Sequence, residues 1–310
     1  MSETRSDMQP ERVTGMDNKA LVSVVIATYN MADYLPLAVR SVLDQTYGNV
    51  EVVVVDDGST DRTLDAIAAF RDNPRVKYLV QSNSGQAAAK NHGVRESSGS
   101  YIAFLDADDM WVPDKLELQM PMFLRSENVG VVYSRLSYID ESGRDLRIAD
   151  NELFRGRVTG PLLIRNFIGF GSTIVRKACF DRLGGFRDDL RMGIDYDLWL
   201  RFSTQYEFDY VDRPLLRYRV WSGQMSNNCK GRYLNGIEIM NRFLREFPGI
   251  VDKATEDHAW AHTYVGFGQC LQSLDSHVVP ALKLYARALR HRPSYIPAWR
   301  AIVSSILRLQ

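Results

Sequence analysis

Between Leu21 and Asp109 the chain repeats one plan: an apolar, β-branched run stops abruptly at polar residues, and residues at helical spacing follow. The runs are LVSVVIATYN, VEVVVVDDGSTDRT, RVKYLVQSNSG and YIAFLDADD. Apolar character that is continuous rather than alternating marks strands buried on both faces. The first helix is read from Leu35, Ala38, Val39, Val42 and Leu43, with Asp33 as its cap and Pro36 in its first turn. Leu64, Ile67 and Ala68 mark a second helix, and a third is expected over 86–96. Such alternation predicts an α/β fold with a mainly parallel sheet flanked by helices. In these sheets ligands bind beyond the carboxyl ends of the strands. Those ends read Thr28-Tyr29-Asn30, Asp56-Asp57-Gly58-Ser59, Ser82-Asn83-Ser84-Gly85 and Asp106-Ala107-Asp108-Asp109. Every polar cluster is therefore expected on one rim.

From about Asn227 the pattern turns wholly helical. Val278, Leu282, Tyr285 and Leu289 form one apolar stripe; Ile296, Trp299, Val303, Ile306 and Leu307 form another. The 310 residues then divide into a flexible tail over 1–19, a catalytic domain over 20–226 and a helical extension over 227–310. Lys plus Arg equals Asp plus Glu at 38 each, so no global field favours nucleic acid, and charge recognition must be local. Cys179, Cys229 and Cys270 are odd in number, widely spaced and without a CxxC pair, which argues against a disulfide framework and for a reducing cytoplasm. The first 19 residues lack the apolar core of a signal peptide, and no apolar run reaches the roughly 18 residues a spanning helix needs.

The three carboxylates of Asp106, Asp108 and Asp109 fall within four positions at the end of a buried strand, where they repel one another unless a cation sits among them. Hard ions such as Mg²⁺ or Mn²⁺ take oxygen ligands, and Mg²⁺ is commonly held by one or two carboxylates plus substrate phosphates. A diphosphate ligand follows. The plainer alternative is that Asp108 and Asp109 open a solvated turn and cap a helix starting near Pro113. The other rim clusters supply what a nucleotide needs: Tyr29 as a stacking face, Asp57 as acceptor for a base N–H, and adaptable backbone at Gly58 and Gly85.

At these residues the chain resembles glycosyltransferase family 2, inverting enzymes with the A-type glycosyltransferase fold. The resemblance runs from Val22 to Ser226 through VSVVIATYN, SVLDQTY, VVVVDDGSTDRT, GQAAAKNHG, YIAFLDADD and GIDYDLWLR, in that order. It implies a nucleoside-diphosphate sugar donor (UDP-, GDP- or dTDP-linked) bound through Thr28, Tyr29, Asn30, Asp57, Gly85, Lys90, Asp106 and Asp109. Within that set Tyr29 and Asp57 meet the base, and Asp106 lies near the ribose or sugar. Asp106 and Asp108 match the DxD that carries the divalent cation, Mn²⁺ or Mg²⁺. Lys90 stands where relatives often have Arg.

Inversion requires a base that deprotonates an acceptor hydroxyl as it attacks the anomeric carbon. In the family that base is an Asp, and Asp195 in MGIDYDLWLR matches its segment, although Ile194 stands where relatives commonly have Glu. Alternatively Asp195 caps the helix bearing Leu198, Leu200 and Phe202. Asp197 is the substitute base, expected as an exposed helical residue. Trp221 in YRVWSGQMS stands where many relatives have His, leaving Arg217, Arg219 or the 224–227 loop to meet phosphate.

His258 and His262 lie four apart without the internal Glu of HExxH, so no zinc site is expected. The span 260–293 resembles a tetratricopeptide hairpin, and one copy is too few for a stable array. Six Lys or Arg and no acid between Ser276 and Gln310 offer a peripheral contact to anionic lipid at the inner face of a membrane, beside a saccharide or lipid-linked acceptor; a solvated helical face is the simpler expectation. Two other enzyme classes fit less well. Haloacid dehalogenase-like phosphatases carry their DxD near the start of the fold, and dinucleotide-binding oxidoreductases need a GxGxxG after the first strand. A catalytically silent sugar-nucleotide binding module is the rival from a different class.

Overall fold

The computed structural model describes residues 20–275 and 278–307; the tail expected over 1–19 lies outside the described residues. The strands are β1 (Val22–Thr28), β2 (Val50–Asp56), β3 (Val76–Val80), β4 (Tyr101–Phe104), β5 (Met110–Trp111), β6 (Val129–Ile139), β7 (Asp145–Ile148), β8 (Ile174–Arg176) and β9 (Glu207–Arg219). Among them run the helices α1 (Leu35–Leu43), α2 (Thr63–Ile67), α3 (Gln86–Glu96), α4 (Lys115–Gln119), α5 (Thr159–Ile164), α6 (Lys177–Leu183) and α7 (Ile194–Ser203). After β9 come α8 (Cys229–Glu246), α9 (Lys253–Asp275), α10 (Val278–His291) and α11 (Ile296–Leu307).

One sheet runs β3-β2-β1-β4-β8-β6-β9-β5, with β7 added to β6. The first four strands are mutually parallel, as the repeated strand-helix plan requires. The second half is mixed: β8 is antiparallel to both β4 and β6, β6 is parallel to β9, and β5 is antiparallel to β9.

The apolar runs divide their side chains between the two faces with period two. Val24, Ile26, Val52 and Val54 pack with Leu35 and Val39 of α1 on one face. On the other, Val25 joins Phe104, Tyr133, Trp199 and Phe208, and Val53 and Val55 meet Ala89. Each fully buried valine contributes on the order of 1.5–3 kcal/mol. Gly93 lets α3 lie close on β1: a Cβ there would sit 2.4 Å from a Val25 methyl carbon.

The α8–α9 pair shares the larger core through Ile239, Met240, Phe243 and Trp260, so this part of the extension packs on the sheet layer. A smaller cluster of Ala261, Val265, Tyr285, Ala288 and Ala298 joins α9, α10 and α11. Of the two stripes read from the sequence, the one on α10 packs inward. The one on α11 faces outward, with Ile296, Trp299, Val303 and Leu307 exposed while Ala298 and Ser305 are buried.

Three expectations change. The cap of α1 is Tyr34 rather than Asp33, and it makes no side-chain cap bond. Cys229 and Cys270 are joined as a disulfide across 41 positions, with Cα atoms 6.1 Å apart, so α8 is tied to α9 and the cysteine argument for a reducing cytoplasm falls. The count was odd because Cys179 is a buried free thiol. The helix after the aspartates begins only at Lys115, beyond β5 and next to Asp114, so neither Asp108 nor Asp109 caps it.

Candidate active site

The parallel strands deliver their polar ends to one rim, and local hydrogen bonds shape each loop. Asn30, the single non-glycine with positive φ (53°) among the described residues, closes β1. Its side chain accepts from the Thr60 and Asp61 backbone N–H at 2.7 and 3.3 Å, and its own N–H donates to Ser59 Oγ at 2.9 Å. Thr28 is buried with an unpartnered hydroxyl, and Tyr29 stands 46% exposed, open for stacking. Gly58 has φ of 76°, and a Cβ there would lie 2.9 Å from the Asn83 backbone nitrogen.

Asp57 is buried and accepts three bonds at 2.8 Å each: from Gln81 Nε2 and from the backbone N–H groups of Ser84 and Gly85. It thereby fixes the turn into α3, with Gly85 at φ of 90° as that helix's cap.

The β4 end is built differently. Asp106 is half-buried and its Oδ1 lies 3.0 Å from the Lys90 ammonium, itself buried on α3 and 4.1 Å above the Phe170 ring. Asp108 accepts from the Trp221 indole N–H at 2.8 Å. Burial, reinforced by the Asp106 charge, pushes its pKa up, and Lys90 opposes that shift. Asp109 is 1% exposed; one oxygen accepts from the Arg219 backbone N–H at 2.8 Å and the other has no partner. Burial, with Asp108 and Asp106 adding repulsion, raises its pKa well above the carboxylate range. Arg219, also buried, donates through Nε to the Asp108 carbonyl and through Nη1 to the carbonyls of Asp140 and Glu141. It braces the loop backbone. Arg217 instead binds the Gly143 carbonyl and Asp145, on the β6–β7 connection and at the start of β7.

Among the described residues no three carboxylate, imidazole or thiolate groups form a closed metal cage. The donors that do meet here are carboxylate oxygens, under-satisfied and mutually repelling. That chemistry fits an open site for a hard cation completed by phosphate oxygens.

Asp195 is the second residue of α7, which starts after Gly193 at φ of 71°. The N-cap of that helix is Gly193 rather than Asp195, whose Oδ2 accepts from Asn166 Nδ2 at 2.9 Å. Burial raises its pKa, with the Asn166 bond and the Lys90 charge acting the other way. Ile194 beside it is buried in the core. Asp197 is not exposed as expected: it is buried between Arg201 at 2.8 Å and Arg187 at 3.3 Å, two residues and about 200° round the helix from Asp195. His258 and His262 both meet Tyr295, the former by its ring edge and the latter at 3.1 Å to the hydroxyl.

Asn166 and Phe170 were not anticipated. They sit in a loop, LIRNFIGFG, whose composition carries no motif. The departure at Trp221 was visible, but not that its N–H would reach Asp108.

The model of the family described as Glycosyl transferase family 2 matches residues 23–182, just over half the chain. An uncharacterized glycosyltransferase of Nostoc sp. is 41% identical over 249 residues, 73% of this chain and 75% of that one. One from Rickettsia conorii is 32% identical over 222 residues, covering 71% of this chain but 36% of its own length. A hyaluronan synthase of Pasteurella multocida is 33% identical over 227 residues, 72% of this chain and 22% of its own. The chain thus spans only about a third of the Rickettsia conorii protein and less of the synthase. Among solved structures, S. aureus TarS 1-349 in complex with UDP-GlcNAc superposes with a TM-score of 0.60 at 17% identity, covering 94% of this chain and 92% of that one. The mannosyltransferase PcManGT from Pyrobaculum calidifontis, in complex with GDP-Man and Mn²⁺, gives 0.64 at 19% identity, covering 94% and 81%. At such identities the likeness is one of fold.

Proposed function

The chain belongs to glycosyl transferase family 2 and is a glycosyltransferase; from that premise we propose that it moves a sugar from a nucleoside diphosphate to an acceptor hydroxyl with inversion, at the rim formed by β1, β2 and β4. Residues 20–226 act as the catalytic domain and 227–310 as its helical extension. The observation that carries this reading is the position of Lys90. Its ammonium pairs with Asp106, and its charge acts on Asp108 and Asp195 as well, so donor-side and base-side carboxylates share one field.

In this mechanism Tyr29 stacks on the base. Asp57, with three of about four lone-pair sites engaged, keeps one for a base N–H. Thr28, Asn30 and Gly85 shape the walls of the nucleotide cleft. Asp106 and Asp108 hold a divalent cation, Mn²⁺ or Mg²⁺, which when bound neutralises charge on the departing diphosphate. Lys90 adds a fixed positive charge on that side, and Asp109, almost fully buried, acts on the donor sugar only through that pair. Asp195, oriented by Asn166, takes the acceptor proton as the hydroxyl attacks. Burial raises its pKa, which makes it a stronger base than an ordinary carboxylate.

UDP-GlcNAc and GDP-Man are the donors named for the two similar structures, so UDP- and GDP-linked sugars head the panel to be tried. The relative named hyaluronan synthase supports a saccharide acceptor and a place in polysaccharide or glycoconjugate synthesis. The test is release of nucleoside diphosphate from that panel with Mn²⁺, with and without oligosaccharide acceptors. Turnover lost in Asp195→Ala supports the proposal. Binding without release from any donor would make the chain a sugar-nucleotide binding module instead.

No helix among the described residues is long and apolar enough to cross a membrane. The exposed stripe on α11, with Arg300 between Trp299 and Val303, supports a peripheral contact to anionic lipid. Co-sedimentation with anionic but not zwitterionic vesicles, reduced in Trp299→Ala, is the expected result; equal pelleting with both overturns it.

A further inference from the structure

Trp221 is not a loose loop residue. It stands one residue beyond β9, after Val220, and its ring tilts against Tyr34 with centroids 6.0 Å apart. Gly223 lies under the ring: a Cβ there would fall 2.1 Å from Trp221 Cζ3. The turn is held by Gln224, whose Oε1 accepts from the Trp221 N–H at 3.3 Å and whose Nε2 donates to the Arg219 carbonyl. Asn227 Nδ2 adds bonds to the carbonyls of Trp221 and Ser222 at 3.2 and 2.9 Å. These contacts aim one polar atom, Nε1, at Asp108 Oδ2, 2.8 Å away.

An indole N–H donates and offers no lone pair, so it cannot ligate a cation; it can only fix the carboxylate that does. Hydrogen bonds of this kind to a ligating group set its direction and commonly control metal affinity. We infer that Trp221 is a positioning residue for the cation site: it aims Asp108, and it leaves the site with oxygen donors alone, which selects for hard ions such as Mg²⁺ and Mn²⁺. The inference rests on the proposed cation at Asp106 and Asp108.

The test is equilibrium binding of Mn²⁺, followed by the paramagnetic resonance signal of the free ion, for Mn²⁺ alone and with UDP or GDP. Trp221→Phe keeps the ring and removes the N–H; Gly223→Ala keeps the N–H and displaces the ring. Both are expected to weaken Mn²⁺ binding by roughly ten- to hundred-fold. Trp221→His, which restores a donor and adds a nitrogen ligand, should recover Mn²⁺ binding and shift preference toward Co²⁺ over Mg²⁺. Wild-type Mn²⁺ affinity in Trp221→Phe and Gly223→Ala, beside its loss in Asp108→Ala, overturns the role of Trp221 and leaves the cation site standing. Undiminished affinity in Asp108→Ala as well overturns both.

Discussion

The β2 end and the β4 end of the sheet carry the same residue type on the same rim, and they treat it in opposite ways. At the β2 end, Asp57 accepts three hydrogen bonds, and Asp56 accepts from the Ser59 N–H and the Tyr78 hydroxyl at 2.8 and 2.5 Å. At the β4 end, Lys90, Trp221 and the Arg219 backbone supply one partner each to Asp106, Asp108 and Asp109, and an oxygen of Asp109 is left with none. The difference lies in the supply of donors. A carboxylate ringed by N–H groups is largely engaged in holding its loop, with about one lone-pair site left for a donor, whereas neighbouring carboxylates short of donors are poised for a charge from outside. Asp195 stands between the two cases, half-buried with Asn166 as its side-chain donor.

The largest expected effect concerns that intermediate case. Asp195→Ala should lower kcat by about 10²–10⁴-fold with donor affinity unchanged, the range for loss of a positioned base. The rate should rise with pH along a limb set by Asp195, which burial lifts above the usual value of about 3.9. The Asn166 N–H favours the charged form, so Asn166→Ala should move that limb to higher pH. A limb that stays put would detach Asn166 from the base.

Stability comes next. Asp57→Ala strands three donors and should cost about 2–4 kcal/mol of unfolding free energy, read by denaturant titration. Asp108→Ala removes a repelled carboxylate and should leave the metal-free protein as stable as before, or more stable by up to about 1 kcal/mol. Equal losses at both positions would erase the contrast.

The smallest effect is a slope. Asp109 keeps its proton in the folded chain at pH values where the unfolded chain has lost it. The folded state then binds more protons, and metal-free stability falls as pH rises above about 4 toward the raised pKa. Thermal midpoints across that range should decline for the wild type and decline less for Asp109→Asn. An unchanged slope would mean that the buried carboxylate is stabilised by something other than a proton.

Much of this was legible in the chain because it is local. The valine runs, the rim clusters and the bounds of α3 at Gln86 and Glu96 follow from pattern and punctuation over a few residues. What escaped depends on distant partners. The mixed half of the sheet is made by pairings such as β6 with β9, far apart in sequence, and Cys229 meets Cys270 only because α8 and α9 pack together. The burial of Asp197 depends on Arg187 arriving from another loop, and the Asn166 bond to Asp195 joins positions 29 apart with no motif at either end. At Trp221 the departure from the family pattern was plain in the letters, and its meaning waited on the 2.8 Å contact with Asp108.

The most direct test of the cation at the β4 end is calorimetric titration of the wild type and Asp108→Ala with UDP and with GDP, each with and without Mn²⁺. Mn²⁺ should strengthen binding of at least one nucleotide to the wild type and leave Asp108→Ala unaffected. The same enhancement in both proteins would contradict the assignment.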